Sequence, residues 1–153
     1  MKWESKDIDV YLSAKEYVDT AVLPLIPVSF EDDMQQVVNM GEFIASLVPQ
    51  LEKQFKGRIL MLPGLTYLKN THADKQLEHV NEWGEQLSRT GFKHIFFITS
   101  DGAWKPVEDR LNGSLIWIPS IPLESMEEKY KRTILENQVK QLLQIFIQRW
   151  QNN

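Results

Sequence analysis

Apolar positions along the chain follow two periods. Residues 20–28, 58–62, 93–99 and 115–118 hold short, nearly continuous apolar runs. Runs of that kind, bounded by turn residues, predict strands buried on both faces. The clearest is 93–99, where Ile95 to Ile98 stops abruptly at Thr99-Ser100-Asp101-Gly102. Residues 20–28 carry Pro24 and Pro27, which cannot donate to a ladder. That predicts an edge strand, or a short one leaving the sheet at Pro24, rather than a central one.

Between these runs the period lengthens to that of a helix. Ile8, Tyr11, Leu12, Lys15 and Val18 predict a helix over 6–19, with Ser5 as its cap. A second capping box at Ser13–Glu16 allows two short helices there instead. After Ser29, the positions Met34, Val37, Val38, Gly41, Ile44, Ala45, Val48, Leu51 and Phe55 hold one face of a long helix. Glu31, Asp32 and Asp33 are expected in its first turn, where the helix dipole favours anions. Pro49 predicts a kink or break near 47–48, and Gly57 a stop. Residues 65–72 read as a loop. Leu77, Val80, Gly84 and Leu87 form the inner face of a helix over 74–90, closed by Gly91. Pro106 and Asn112-Gly113 bracket a short crossover helix at 106–112. A long helix starts at the Ser125–Glu128 capping box and presents Leu135, Val139, Leu142, Leu143, Phe146, Ile147 and Trp150 as one wide stripe.

Strands alternating with helices predict a single three-layer α/β domain over 1–153. It has a mostly parallel sheet of about four strands, helices on both faces and a long C-terminal helix. A chain of 153 residues is one domain's worth and can bury a core without help from disulfides or metal.

Composition narrows the class without naming a reaction. The net charge of −4, with lysine and arginine scattered, does not suit a general nucleic-acid binder. Cysteine is absent, which removes thiolate chemistry and fits a reducing cytoplasm. The first residues have no apolar core after Lys2, unlike a signal peptide, and no apolar run approaches the ~20 residues of a membrane span. The expectation is a soluble cytoplasmic protein with neither nucleic acid nor membrane as partner.

Candidate chemistry gathers where strands end. In a parallel sheet, ligands bind just beyond the strands' carboxyl ends. That edge would carry Ser29, Thr66, Tyr67, Ser100, Asp101 and Ser120, with Trp104 as a pocket wall. These side chains suit a small polar ligand, although serine, aspartate and glycine also serve simply to turn loops and cap helices. His72 and Asp74 lie two apart, and His79 and Glu82 three apart on a helix, spacing that metal ligands can use. His79 and Glu82, however, point away from the buried face, so no metal is assigned. No G-x-S-x-G, G-x-G-x-x-G or Walker pattern occurs, and no cofactor is expected. On the C-terminal helix, Leu135, Val139, Leu142, Phe146 and Trp150 either pack on the chain's own sheet or meet a protein partner or second copy. Trp83 and Trp117 are expected in or near the core, and Trp3, Trp104 and Trp150 nearer the surface.

Several stretches resemble a known family. Lys6-Asp7-Ile8-Asp9, Ala14-Lys15-Glu16-Tyr17-Val18-Asp19-Thr20-Ala21, Leu23-Pro24-Leu25-Ile26-Pro27, Pro63-Gly64-Leu65-Thr66-Tyr67-Leu68 and Ile98-Thr99-Ser100-Asp101 are similar to the YpiF-like family of Gram-positive bacteria. The resemblance implies a small cytosolic protein of unknown function and brings no catalytic residues with it. A fainter likeness, at the level of fold, is to creatininase-type amidohydrolases, on the strength of Leu62-Pro63-Gly64 alone. The Glu-x-His-Gly and Gly-His-Gly-Gly-Asn patterns of that family are missing here.

The reading that follows is a non-catalytic binding or regulatory module with a polar pocket at the strand ends. The alternative is a small hydrolase or transferase using Asp101 as general base, helped by His72.

Overall fold

A computed structural model describes residues 1–152. Two helical layers enclose a five-stranded sheet in the order β2-β1-β4-β5, with the fifth strand, β3, also pairing with β1 and every strand pair parallel. The strands are β1 (Thr20–Val28), β2 (Ile59–Met61), β3 (Leu65–Leu68), β4 (His94–Thr99) and β5 (Ser114–Trp117). The helices are α1 (Ser5–Ser13), α2 (Met34–Gln54), α3 (Ala73–Thr90) and α4 (Glu128–Gln151). A 3₁₀ helix over Lys15–Tyr17 follows α1, so the first segment is two short helices. Another, Gly102–Arg110, carries the chain from β4 to β5. Alternation along β1 builds both cores. Ala21, Leu23 and Leu25 face α1 and α3, while Val22 faces α2 and α4.

The central strand is β1, not an edge. The two prolines do not prevent this, because successive residues of a strand direct their backbone groups to opposite neighbours. Thr20 N–H donates to the Arg58 carbonyl, and the Val22 carbonyl accepts from Leu62. Even-numbered residues therefore face β2 and β3, and odd-numbered ones face β4. Pro24 lacks its N–H where β2 gives way to β3, between the pairs Val22↔Met61 and Leu25↔Leu65. Pro27 lacks its N–H on the β4 side, past the last pair there, Pro24↔Ile98. Each missing donor falls where no strand residue stands opposite it.

Other boundaries shift for equally local reasons. The segment 65–72 is not all loop, since Leu65–Leu68 pairs with Leu25–Val28 as β3. α2 begins only at Met34, so Glu31, Asp32 and Asp33 precede it in a turn. It runs on through Pro49 without a break. The carbonyl that Pro49 leaves unpaired belongs to Ala45, which is exposed to water. α2 ends at Gln54, before Gly57. Neither Ser5 nor Ser125 caps a helix: Ser5 lies inside α1, and α4 starts at Glu128 with no side-chain cap. Leu77, Val80, Gly84 and Leu87 are the buried face of α3, and Gly91 closes that helix at φ 113°.

β5 enters the sheet through a tight approach at Gly113. A Cβ there would lie 2.8 Å from the Ile95 carbonyl oxygen and 2.9 Å from the Phe97 ring. Gly113→Ala is expected to cost about 1–3 kcal/mol of stability by overpacking, measured as a lower urea midpoint with unchanged slope. Gly57→Ala, which meets nothing within 4 Å, serves as the control.

The order of connection sets where to look for a site. From β1 the chain goes to β2 and β3 on one side, then returns past β1 to β4 and β5 on the other. The direction of winding thus reverses between β1 and β4. In open α/β sheets the crevice at the carboxyl ends of such a strand pair is the usual ligand position.

Candidate functional site

Asp101 lies two residues past the end of β4 and is 2% exposed. Its backbone N–H donates to Thr99 Oγ1 at 3.0 Å, and Thr99 Oγ1 donates to the Leu25 carbonyl at 3.1 Å. The carboxylate is therefore fixed to the end of the central strand. Its Oδ1 accepts from Lys69 Nζ at 2.8 Å and from the Ala103 N–H at 3.0 Å. Its Oδ2 accepts from the Tyr67 hydroxyl at 2.7 Å. That hydroxyl in turn accepts from Trp104 Nε1 at 2.7 Å, and the two rings meet edge to face at 5.4 Å. Tyr67 comes from β3, Lys69 from the residue after it, and Trp104 from the 3₁₀ helix after β4.

This cluster forms the floor of a cavity of about 360 Å³. Tyr67, Trp104, Val107 and Ala103 give it apolar walls, and the loop from Leu68 to the start of α3 forms its rim. The size is that of a small-molecule site. Asn70 (φ 67°) and His72 (φ 31°) are the non-glycine residues with positive φ among those described, and both line this cavity. Such backbone costs about 1–3 kcal/mol per residue and concentrates at functional loops. Asn70 is tied down by donating from Nδ2 to Glu31 and Asp33 at 3.4 and 3.3 Å.

Electrostatics makes the cluster a fixed donor–acceptor chain rather than an acid–base pair. Burial, and then the adjacent Asp101 carboxylate, push the Tyr67 phenol far above its ordinary value near 10. It stays a neutral hydroxyl that donates to Asp101. Both Asp101 oxygens already accept donors, and one of them holds an ammonium. Three of the carboxylate's roughly four acceptor sites are filled, and the one left is on Oδ2 beside the Tyr67 hydroxyl.

The raised phenol carries a stability consequence. In the unfolded chain Tyr67 ionises near pH 10, whereas in the folded chain it does not. Stability is thus lost as pH rises above about 10, because only the unfolded state releases that proton. Urea midpoints at about pH 9 and about pH 11 should fall further for the wild type than for Tyr67→Phe.

Of the residues singled out from sequence, Tyr67, Asp101 and Trp104 come together, with His72 and Asp74 at the rim of the same cavity, and Ser29, Thr66, Ser100 and Ser120 do not line it. Thr66 is exposed, on the face of β3 opposite Tyr67. Ser29 is buried but engaged locally: its hydroxyl donates to Asp33 Oδ1 at 2.5 Å and accepts from the Glu31 N–H at 3.2 Å. Ser100 is buried but does not line the cavity, and its Oγ has no hydrogen-bond partner among the described residues. Ser120 lies past β5 and does not line the cavity. His72 lies at the rim, one residue before α3. Lys69, which no motif announces, is the residue that sequence reasoning missed. Reading 65–69 as an alternating strand would have found it, since Tyr67 and Lys69 then share a face.

Trp3 is exposed as expected, whereas Trp104, Trp83 and Trp117 reverse their expected places. Trp104 is buried because the 3₁₀ helix folds it onto Tyr67. Trp83 and Trp117 are partly exposed, on the outer side of α3 and at the end of edge strand β5. Trp150 is half-buried, with Nε1 donating to Thr20 Oγ1 at 2.8 Å and the Arg58 guanidinium over its ring at 4.0 Å. Val139, Leu142 and Phe146 are buried in the core beside α2, and Leu135 and Trp150 pack against them. The stripe on α4 therefore faces its own sheet except for Ile147, which is exposed. Among the described residues no helix is long and apolar enough to cross a membrane, and no group of three or more histidine, aspartate or glutamate side chains is placed to hold a metal ion.

Comparison with known proteins gives a family and no chemistry. The family model described as "Protein of unknown function (DUF2487)" matches residues 9–150. The chain is 37% identical over 150 residues to the "Uncharacterized protein YpiF" of Bacillus subtilis (strain 168), covering 98% of each. No solved structure matches the chain significantly.

Proposed function

We propose, for a chain that belongs to the DUF2487 family, a non-catalytic role: a binding or regulatory module that holds a small molecule in the Tyr67–Lys69–Asp101–Trp104 cavity. The observation that carries this reading is the state of Asp101. It is buried beneath a cavity of ligand size, yet both of its oxygens are occupied by fixed donors. With an ammonium, a phenol and a backbone N–H all bonded to it, such a group serves first to orient its neighbours. The open wall of the cavity is aromatic and aliphatic, which favours recognition by shape with a few placed polar contacts. A cytoplasmic location fits the absence of cysteine and of apolar spans, and the negative charge argues against nucleic acid as partner. A homodimer or protein partner at α4 would use its outer side, where Tyr130, Ile145 and Ile147 are exposed.

The test is native mass spectrometry of protein purified gently from its own host without a metal-affinity step. Wild type is expected to carry a small molecule that Trp104→Ala loses. Turnover of the retained molecule, abolished by Asp101→Asn in a folded variant, would replace binding with catalysis.

A further inference from the structure

At the outer edge of β3, unpaired backbone groups and uncovered apolar side chains lie together. Among the described residues β3 pairs with no strand but β1. The Lys69 N–H donates to the Val28 carbonyl, so the odd-numbered residues of β3 face β1. The N–H and C=O of Thr66 and the N–H of Leu68 therefore face outward. The Leu68 carbonyl is closed by Thr71 Oγ1 at 2.9 Å and Gln76 Nε2 at 3.2 Å. Along β2 the same edge is covered, because Lys2 pairs with Met61 and the Met61 N–H donates to the Met1 carbonyl. Leu68 is 49% exposed on the face that α2 covers further along, since its partner Val28 follows Ile26, which touches Gly41 of α2. Phe30, Met34 and Val38, four apart, continue this apolar surface. At 77%, Phe30 is the most exposed large apolar side chain among the described residues. The turn between Phe30 and Met34 is Glu31-Asp32-Asp33, held beside β3 by Asn70. None of the three carboxylates lies within ion-pair distance of a lysine or arginine among the described residues.

We infer that this edge takes an extended segment of another protein, apolar at alternate positions and carrying lysine or arginine at the end beside Leu68. The backbone sets the form of the partner. An added strand pairs with the Thr66 N–H and C=O and the Leu68 N–H, which a helix would leave unpaired. Side chains on one face of that strand meet Leu68 and the Phe30–Val38 surface. The acidic turn sets the charge, because it stands at the Leu68 end and has no cation of its own. A second copy of this chain fits worse. Pairing β3 with itself about a two-fold axis runs antiparallel and brings Pro63-Gly64, not a cation, to each acidic turn. The inference does not depend on what the Tyr67–Trp104 cavity holds.

Proton–nitrogen correlation spectra of the full chain test this as capped peptides are titrated in. The probes are Lys-Arg-Val-Thr-Val-Thr-Val, the same peptide with the basic pair at its other end, and both with Glu-Glu in place of Lys-Arg. At least one basic peptide is expected to shift the Thr66 and Leu68 amide signals and slow their hydrogen exchange. It should bind at least about fivefold tighter than its Glu-Glu form, the scale of two exposed ion pairs. Thr66→Pro removes an outward N–H from an edge strand, where proline is tolerated, and is expected to abolish binding. Glu31→Lys/Asp32→Lys, at exposed positions, is expected to reverse the charge preference. Binding that leaves the Thr66 and Leu68 amides unprotected, or survives Thr66→Pro, would overturn strand addition. Equal binding of the Glu-Glu peptides would overturn the basic partner. Protection of the two amides by raising the protein concentration alone would assign the edge to a second copy instead. No binding by any peptide would overturn the inference and leave the cavity's role standing.

Discussion

Asp101→Ala is expected to lower the free energy of unfolding by about 3–5 kcal/mol, the range for removing one partner of a buried ion pair. Most of that loss comes from what is left behind rather than from the attraction removed. Lys69, 17% exposed, would lose its ion-pair partner. The Tyr67 hydroxyl would lose its acceptor inside the protein, as would the Ala103 N–H. An unsatisfied buried donor adds about 1–3 kcal/mol on its own. Asp101→Asn keeps an acceptor oxygen and should lose less. Adding Lys69→Met to Asp101→Ala should recover part of the loss, because the stranded charge disappears with the side chain. Urea denaturation of the four proteins checks the series. Equal losses for Asp101→Ala with and without Lys69→Met would mean that the two side chains are not coupled.

Phe146→Ala should be as costly, about 3–5 kcal/mol, for a different reason. Its ring is fully buried, 4.3 Å from the Phe96 ring and 5.8 Å from both Phe55 and Trp150. Truncation leaves a cavity between α4, α2 and β4 that the stiff sheet cannot collapse to fill. Ile147→Ala, on the exposed side of the same helix, should change stability by no more than about 0.5 kcal/mol. A loss at Ile147 matching that at Phe146 would mean that α4 meets the sheet through its other face.

The sequence made the layers legible because burial on both faces leaves an unbroken apolar run, as in Ile95 to Ile98. The α3 inner face was legible because an eighteen-residue helix repeats its period several times. The centrality of β1 was not, because the proline rule depends on which neighbour each N–H faces, and that is fixed by pairing. β3 was hidden by its length, four residues directly after Pro63-Gly64. Losing β3 also lost Lys69, since only the strand's alternation sets it beside Tyr67. Asp101 and Trp104 were visible as residues just past a strand. Ser29, Ser100 and Ser120 share that description with them, and only the folded loops separate them from the cavity, Ser29 by bonding to Asp33 and Glu31.

The central claim is that the Tyr67–Trp104 cavity binds a small molecule and leaves it unchanged. The most direct measurement is a proton–nitrogen correlation spectrum of the five tryptophan indoles, with Trp104 assigned from Trp104→Phe. The spectrum is recorded as a small-molecule extract of the host is added. The account predicts that the Trp104 indole signal shifts and saturates, because its N–H lies in the cavity wall bonded to Tyr67, while the exposed Trp3 signal stays in place. A Trp104 signal that never moves, or one that moves and returns as a component of the extract is consumed, would contradict it.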